Sequence, residues 1–251
     1  MEDLYTFATS QKVHDRLYEA VARSYTKIFT RTGIGKLTLR TFASGGAFSK
    51  YSHEFQCLSE TGEDTIYVSK KKGIAINKEV MTKSVLSNLG VSKSELVERK
   101  AIEVGNIFTL GTRFSEALGL KSKKKDGTES PVIMGCYGIG PTRLMGTLAE
   151  VLSDKKGLIW PESVAPFKVH LLELKRGLGR GLYEKLAKAG VEVLYDDRDL
   201  TPGEKFNDAD LLGLPWRLVV SEKTKNKVEI KKRTSKNTEL ISQNGVIQQF
   251  S

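Results

Sequence analysis

The sequence predicts an α+β unit, an antiparallel sheet with helices, followed by a smaller α/β unit. Three observations carry this expectation. Strand-like runs crowd residues 36–76, with LTLRTF at 37–42, SHEFQCL at 52–58 and DTIYV at 64–68 separated by the turn signals Gly45-Gly46 and Thr61-Gly62, as in strands joined by short connections. A glycine-punctuated stretch, PVIMGCYGIGPTRLM at 131–145, leads from an apolar strand into a helix. Beyond Pro161 and Pro166, strand and helix patterns alternate, the mark of a layered α/β unit.

Taken in order, Met1 to Phe7 reads as a short strand. From Ser10 to Arg31 the residues Val13, Leu17, Ala20, Val21, Tyr25, Ile28 and Phe29 recur at helical spacing, with Ser10 as N-cap and Gly33 and Gly35 as stops. That stripe is a core-facing scaffold. On SHEFQCL, the period of two puts His53, Phe55 and Cys57 on one face and Glu54 and Gln56 on the other. His53 and Glu54 therefore cannot form an acid–base dyad. Between Lys70 and Lys100 the chain is polar and lysine-rich, with a short helix expected at 79–88. Glu103 is expected in a short strand ending at Gly105, and SKKKDGTE at 122–129 as a charged hairpin turn.

In the central stretch, Val132 to Met134 reads as a buried strand, and Gly135, Gly138 and Gly140 are expected to carry the backbone into open space. Gly140 then caps a helix whose first residue is Pro141, where a missing N–H costs nothing. Arg143 falls in the first turn. The positive end of the helix dipole penalises a cation there by roughly 0.3–1 kcal/mol unless an anion is shared, so the arrangement asks for a phosphate. A solvated arginine on a tight strand-to-helix turn is the alternative that the residues alone leave open. No Gly-Lys-Ser/Thr follows, which excludes a Walker A loop. Leu144, Met145, Leu148, Val151 and Leu152 continue as an amphipathic helix.

Lys155-Lys156-Gly157 and the spaced prolines mark a boundary. After it, strands are expected at 167–174, 191–195, 216–220 and 227–232, and helices at 178–189 and 202–212. The second helix opens on a Thr201-Pro202-Gly203-Glu204 capping box. Asp196, Asp197 and Asp199 around Arg198 leave two readings, a carboxylate metal site or a polar loop that positions RNA or caps helices.

A net charge of +10, from 40 basic and 30 acidic residues, fits a polyanionic partner. No apolar run reaches membrane-spanning length and the N-terminus has no signal-peptide core, so no membrane association and an intracellular location are expected. Cys57 and Cys136 form neither a disulfide framework nor a zinc spacing. Cys136, inside the glycine stretch, reads as a small side chain beside a substrate pocket, with a reactive thiol as the alternative.

GCYGIGPTR at 135–143 closely resembles the third signature motif of the prolyl-tRNA synthetases of bacterial or organellar type, a class II aminoacyl-tRNA synthetase family. AIEVGNIFTLGTRFSEALG at 101–119, SHEF at 52–55, GEDT at 62–65, GLIWPESVAPFKVHLL at 157–172, and LYDDRD with GEKFNDADLLGLPWRLVV from 194 to 220 extend the resemblance over nearly the whole chain. MEDLYTF resembles the second strand of the second motif. The resemblance implies the C-terminal part of a class II catalytic domain over residues 1–157, a linker over 158–166 and an anticodon-binding domain over 167–251. It implies a proline–tRNA ligase that activates proline with ATP and Mg²⁺, transfers it to tRNA(Pro), and acts as a homodimer in the cytoplasm or an organellar matrix.

Carried onto matching positions, the resemblance makes Arg143 and Glu103 the catalytic pair. It has them hold ATP with Gly138 and Gly140, makes Glu103 the Mg²⁺ ligand, and sets His53, Phe55, Phe108 and Cys136 around the proline. Asn106 stands where the family usually has histidine, and the approach to SHEF is a residue or two longer. The family's first motif, its α-phosphate-binding arginine and its editing insertion have no counterpart in these residues. The chain by itself is therefore expected not to activate proline, the alternative function being a synthetase-like tRNA-binding protein without activity.

Overall fold

Strand pairing in the first unit follows the period-two pattern of its sequence, and one long helix decides which face is buried. The computed structural model describes residues 1–47, 49–123 and 125–251. It divides into two units, Met1–Val151 and Leu152–Ser251. Phe48, in the approach to SHEF, and Lys124, in the expected charged turn, lie outside the described residues.

The first unit runs β1 (Glu2–Ala8), α1 (Gln11–Arg31), β2 (Thr38–Gly45), β3 (Ser49–Leu58), β4 (Asp64–Ser69), β5 (Ile74–Asn77), α2 (Lys83–Asn88), β6 (Val97–Gly111), α3 (Arg113–Ala117), β7 (Lys121–Lys123), β8 (Glu129–Pro131), β9 (Ile133–Ile139) and α4 (Pro141–Val151). Seven strands form one sheet in the order β1-β9-β6-β3-β2-β5-β4, with β4 also paired to β6. All its pairings are antiparallel except the short contact between β2 and β5.

Helix α1 starts where the hydroxyl of Ser10 accepts from the Val13 N–H at 3.4 Å. Its apolar stripe lies on one face of the sheet. Tyr25 and Phe29 pack their rings on Phe55 at 5.5 and 5.3 Å, and Tyr18 packs on Tyr137 at 6.0 Å. Each large side chain buried there contributes about 1.5–3 kcal/mol. The opposite face carries Glu54, Gln56, Glu103 and Asn106, joined by polar contacts.

Two expectations are corrected here. The glycines of the central stretch do not leave the sheet: β9 runs through Gly135 and Gly138, hydrogen-bonded to β1 on one edge and β6 on the other. The glycines serve close approach, since a Cβ at Gly135 would lie 2.2 Å from the Tyr137 hydroxyl. The strand holding Glu103 does not stop at Gly105 either, because β6 continues to Gly111 and a bulge opposite Phe55/Gln56 absorbs the irregularity. The start of α4 at Pro141 is as expected.

The second unit contains β10 (Ser153–Asp154), β11 (Gly157–Leu158), β12 (Val169–Glu173), α5 (Arg180–Lys188), β13 (Val193–Asp196), α6 (Pro202–Leu212), β14 (Trp216–Val220), β15 (Lys227–Lys232), β16 (Glu239–Ser242) and α7 (Gln243–Phe250). The main sheet has the order β13-β12-β14-β15-β16, parallel across the first three strands and antiparallel beyond. Val169, Leu171, Leu182, Leu186, Leu218 and Phe250 form the core on one side. Leu172 and Val219 pack on Ala209 of α6 on the other. The Thr201–Glu204 capping box forms in both directions, at 3.4 and 2.9 Å.

This unit begins at Leu152, earlier than the sequence boundary after 157, because the β10–β11 hairpin belongs to it. Arg233 grips Asp154 at 2.7 and 2.9 Å. The segment expected to be a linker over 158–166 likewise lies within the unit, with Trp160 N–H donating to the Gly213 carbonyl at 3.1 Å. Strand β16 and helix α7 went unread in the sequence, since 239–250 carries neither a clear alternation nor a wide apolar stripe.

Gly213 ends α6 at φ +66°, and a Cβ there would fall 1.7 Å from the Leu158 carbonyl oxygen. Gly213→Ala should destabilise the second unit by at least about 1–3 kcal/mol through backbone strain and overpacking, measured as a lowered urea midpoint. Gly146→Ala, in the interior of α4 with open space around it, should instead leave stability unchanged or raise it by about 0.5–1 kcal/mol.

Candidate active site

The first turn of α4 aims Arg143 across the open face of the sheet. Its Nη1 lies 3.5 Å from Glu103 Oε2 and 3.4 Å from the Glu103 carbonyl oxygen. Its Nη2 lies 3.9 Å from Glu63 Oε1. The other Glu103 oxygen accepts from the Asn106 amide at 2.9 Å. Burial pushes the Glu103 carboxyl above the usual range, against the opposing pull of Asn106 and Arg143.

The remaining residues of this face follow from register. Phe108 stands opposite Cys136, and Asn106 opposite Gly138. Phe108 and Cys136 flank a small apolar cluster of Leu110, Val132 and Met134. Gly140 immediately precedes α4, and a Cβ on it would touch the Arg143 Cβ at 3.3 Å. Arg143, Glu103, Gly138, Gly140, Phe108 and Cys136 are therefore brought to one face.

His53 and Phe55 are not: they lie on the other face of the sheet from Cys136 and Phe108. Both project toward α1, because they alternate with Glu54 and Gln56 along β3. His53 Nδ1 is 2.9 Å from the Tyr18 hydroxyl and 3.4 Å from Arg40 Nη2. It borders a cavity of about 260 Å³ shared with Asp15, Tyr18, Phe42 and Tyr51. Burial, reinforced by the Arg40 charge, lowers the His53 pKa to about 4. Phe55 is 2% exposed, sealed among the α1 rings.

Two features of the open face were missed in the sequence. Asn106 orients Glu103, and Gln56 donates to both Glu54 (2.9 Å) and Asp64 (2.6 Å). The face of Glu54 and Gln56 was legible from the period of two, but their proximity to Glu103 depends on register, which a single strand cannot reveal. Among the described residues no group of three or more His, Cys, Asp or Glu side chains is placed to hold a metal ion. A cation at Glu103 would have one protein carboxylate and would draw its other ligands from substrate and water, as Mg²⁺ commonly does.

In the second unit, the carboxyl ends of β12 and β13 border a cavity of about 600 Å³ lined in part by Glu173, Arg176, Arg180, Tyr183, Tyr195 and Arg198. Glu173 accepts from the Gly177 and Gly179 N–H groups at 2.8 and 2.7 Å and from the Tyr195 hydroxyl. Burial raises its pKa, but those hydrogen bonds outweigh it and hold the carboxyl below the usual range. Lys205 is buried and donates to the carbonyls of Glu173 (2.6 Å) and Asp196 (3.1 Å). Asp196 is gripped by Arg198 at 2.8 and 3.0 Å. That pairing uses the Asp196 carboxylate internally, which fits a polar loop rather than a carboxylate metal site. Tyr183 and Tyr195 stack at 5.1 Å in this cleft, where Glu184, Asp197 and Asp199 stand among the arginines.

The first unit thus sets a cationic helix start over a carboxylate on an antiparallel sheet, and the second is an α/β unit whose cleft carries stacked tyrosines among four cationic and four acidic residues. The family profile described as tRNA synthetase class II core domain (G, H, P, S and T) matches residues 1–152, and that of the anticodon binding domain matches residues 164–251. The chain belongs to the class II tRNA synthetase family. Its relatives include the proline–tRNA ligase of Persephonella marina, 48% identical over 62% of this chain and 29% of that protein. That of a Methylobacterium species is 34% identical over 96% of this chain and 62% of the relative, and that of Afipia carboxidovorans is 33% identical over 100% and 64%. The chain thus spans less than two thirds of the length of these relatives. A crystal structure of prolyl-tRNA synthetase from Cryptosporidium parvum, complexed with L-proline and AMP, shares the fold with a TM-score of 0.68 at 18% identity, covering 99% of this chain and 48% of that one.

The buried histidines set an acid limit on stability. His53 and His170 both have pKa values lowered to about 4, chiefly by burial, whereas an unfolded histidine titrates near 6.5. As pH falls below about 6.5 the unfolded chain takes up protons that the folded chain does not, so stability is full above that pH and declines toward pH 4. Each histidine can remove up to about 3 kcal/mol across that window. Urea unfolding at pH 7 and pH 5 should show the loss, and His170→Gln should flatten it for the second unit.

Proposed function

We propose that this chain carries the nucleotide- and proline-binding face and the RNA-binding unit of a proline–tRNA ligase. The observation that carries this reading is the first-turn Arg143 poised 3.5 Å from Glu103 above a floor that contains Cys136 and Phe108. The reaction joins the proline carboxylate to the α-phosphate of ATP with departure of pyrophosphate, and then transfers the prolyl group to a hydroxyl of the terminal ribose of tRNA(Pro) with departure of AMP. The carboxylate is ionised at neutral pH and is its own nucleophile. No general base is required, and catalysis is positioning and charge stabilisation.

Arg143 supplies a fixed cation for the nucleotide phosphates at a helix start whose N–H groups also favour anions. Gly138 and Gly140 add no side chain of their own at the strand end, where the side chains of Met1, Asn106 and Asp3 already crowd Gly138. Phe108 offers an aromatic surface to the proline ring, and Cys136 a small wall. Glu103, oriented by Asn106, would hold Mg²⁺, which when bound neutralises phosphate charge. The 600 Å³ cleft of the second unit, with Arg176, Arg180 and the stacked tyrosines, serves the anticodon end of the RNA. The same reading makes a homodimer the working assembly, in the cytoplasm or an organellar matrix. No helix among the described residues is long and apolar enough to cross a membrane.

Arg143→Ala tests the assignment. Loss of a charged hydrogen-bonding partner for phosphate should raise the Kd for ATP by about 10- to 100-fold, while the Kd for proline changes little. Calorimetric titration of each ligand measures both. An unchanged ATP affinity would remove Arg143 from the site.

A further inference from the structure

Arg143 is held by two carboxylates that are built very differently. Glu103 is 24% exposed at its side chain and pinned by Asn106. Glu63 is 58% exposed and reaches Arg143 Nη2 at 3.9 Å, and among the described residues its side chain has no other ion pair. A long, half-exposed pair of this kind is worth little to folding.

The turn that carries Glu63 is nevertheless fixed. Ser59 N–H donates to the Lys100 carbonyl at 3.2 Å, and Gly62 N–H to the Ser59 carbonyl at 3.1 Å. A Cβ on Gly62 would fall 2.2 Å from the carbonyl oxygen of Ala101, so the turn lies directly on β6 two residues before Glu103. Asp64 then pairs in register with Ala101. The close approach at Gly62 sets how far Glu63 can reach.

We propose that Glu63 is a positioning residue that holds Arg143 over the open face in the nucleotide-free chain and is displaced from it by the phosphates of ATP. The inference rests on the nucleotide-binding role given to Arg143 above. Glu103 cannot be the carboxylate that yields, because its second oxygen and its place in β6 are fixed. Glu63 is free to turn to solvent. Its charge must then be overcome by each incoming phosphate, so Glu63 makes ATP binding weaker and more dependent on phosphate charge than the arginine alone would.

The test is a calorimetric titration of ATP and of adenosine into the wild-type chain, Glu63→Gln, Glu63→Asp, Glu63→Gln with Arg143→Ala, and the control Glu60→Gln in the same exposed turn. Removing the competing charge should tighten ATP binding by about two- to fivefold and leave adenosine unchanged. Glu63→Asp should lie between wild type and Glu63→Gln, and Glu60→Gln should do nothing. The gain should vanish when Arg143 is absent. Equal ATP affinity in wild type and Glu63→Gln, or a gain that persists without Arg143 or appears equally in Glu60→Gln, overturns the proposal alone. A wild-type chain that binds no ATP overturns both this proposal and the nucleotide site on which it rests.

Discussion

The burial of the α1 stripe on one face of the sheet is the constraint from which the first unit's chemistry follows. Tyr18, Tyr25 and Phe29 cover Phe55 and Tyr137, and His14 docks on Thr109 at 3.0 Å. With that face filled, the alternate residues of β3, β6 and β9 must face the other way. Glu54, Asn106, Phe108 and Cys136 are consequently gathered on one surface by period, the bulge in β6 opposite Phe55/Gln56 brings Glu103 into phase with them, and α4 needs only to begin at its edge for Arg143 to meet them. Packing therefore selects the surface, and the helix start supplies the charge.

The polar groups on that surface are ordered by one another rather than by solvent. Asn106 takes one oxygen of Glu103 and leaves the second toward Arg143, while Gln56 ties Glu54 to Asp64. Partial burial makes each carboxylate costly to charge, as the raised positions of Glu54 and Glu103 show. A cationic partner or a metal ion would lower that cost. The second unit follows the same principle at the ends of β12 and β13, where buried Lys205 and the two glycine N–H groups fix Glu173 and the neighbouring loop.

Much of this was legible in the residues themselves. The α1 stripe, the faces of SHEFQCL, the helix start at Pro141 and the strands at 216–220 and 227–232 are written in local periodicity and capping chemistry, and the structure has them. The resemblance of GCYGIGPTR correctly pointed to a class II synthetase core. What local pattern cannot supply is which face of a strand meets which partner. The motif groups His53 and Phe55 with Phe108 and Cys136, but alternation along β3 turns the first two to the face that α1 covers. The glycines at 135 and 138 carry a turn signal in isolation, and pairing on both edges of β9 overrides it. Helix α7 is held by a Ser242 cap and by Val246 and Phe250 in the core; their spacing is helical, but eight residues give the pattern too few repeats to announce a helix.

The division between a scaffold face and a ligand face is tested most directly by the two cysteines, one on each. Cys57 is fully buried on the α1 side, and Cys136 is partly exposed on the open face beside Phe108. The rate of Cys136 alkylation by N-ethylmaleimide, followed by mass spectrometry with and without proline and ATP, reports directly on occupancy of that face. The account predicts severalfold protection of Cys136 when both ligands are present, with Cys57 unreactive throughout. An unchanged Cys136 rate at saturating ligands would contradict it and would place the ligands elsewhere.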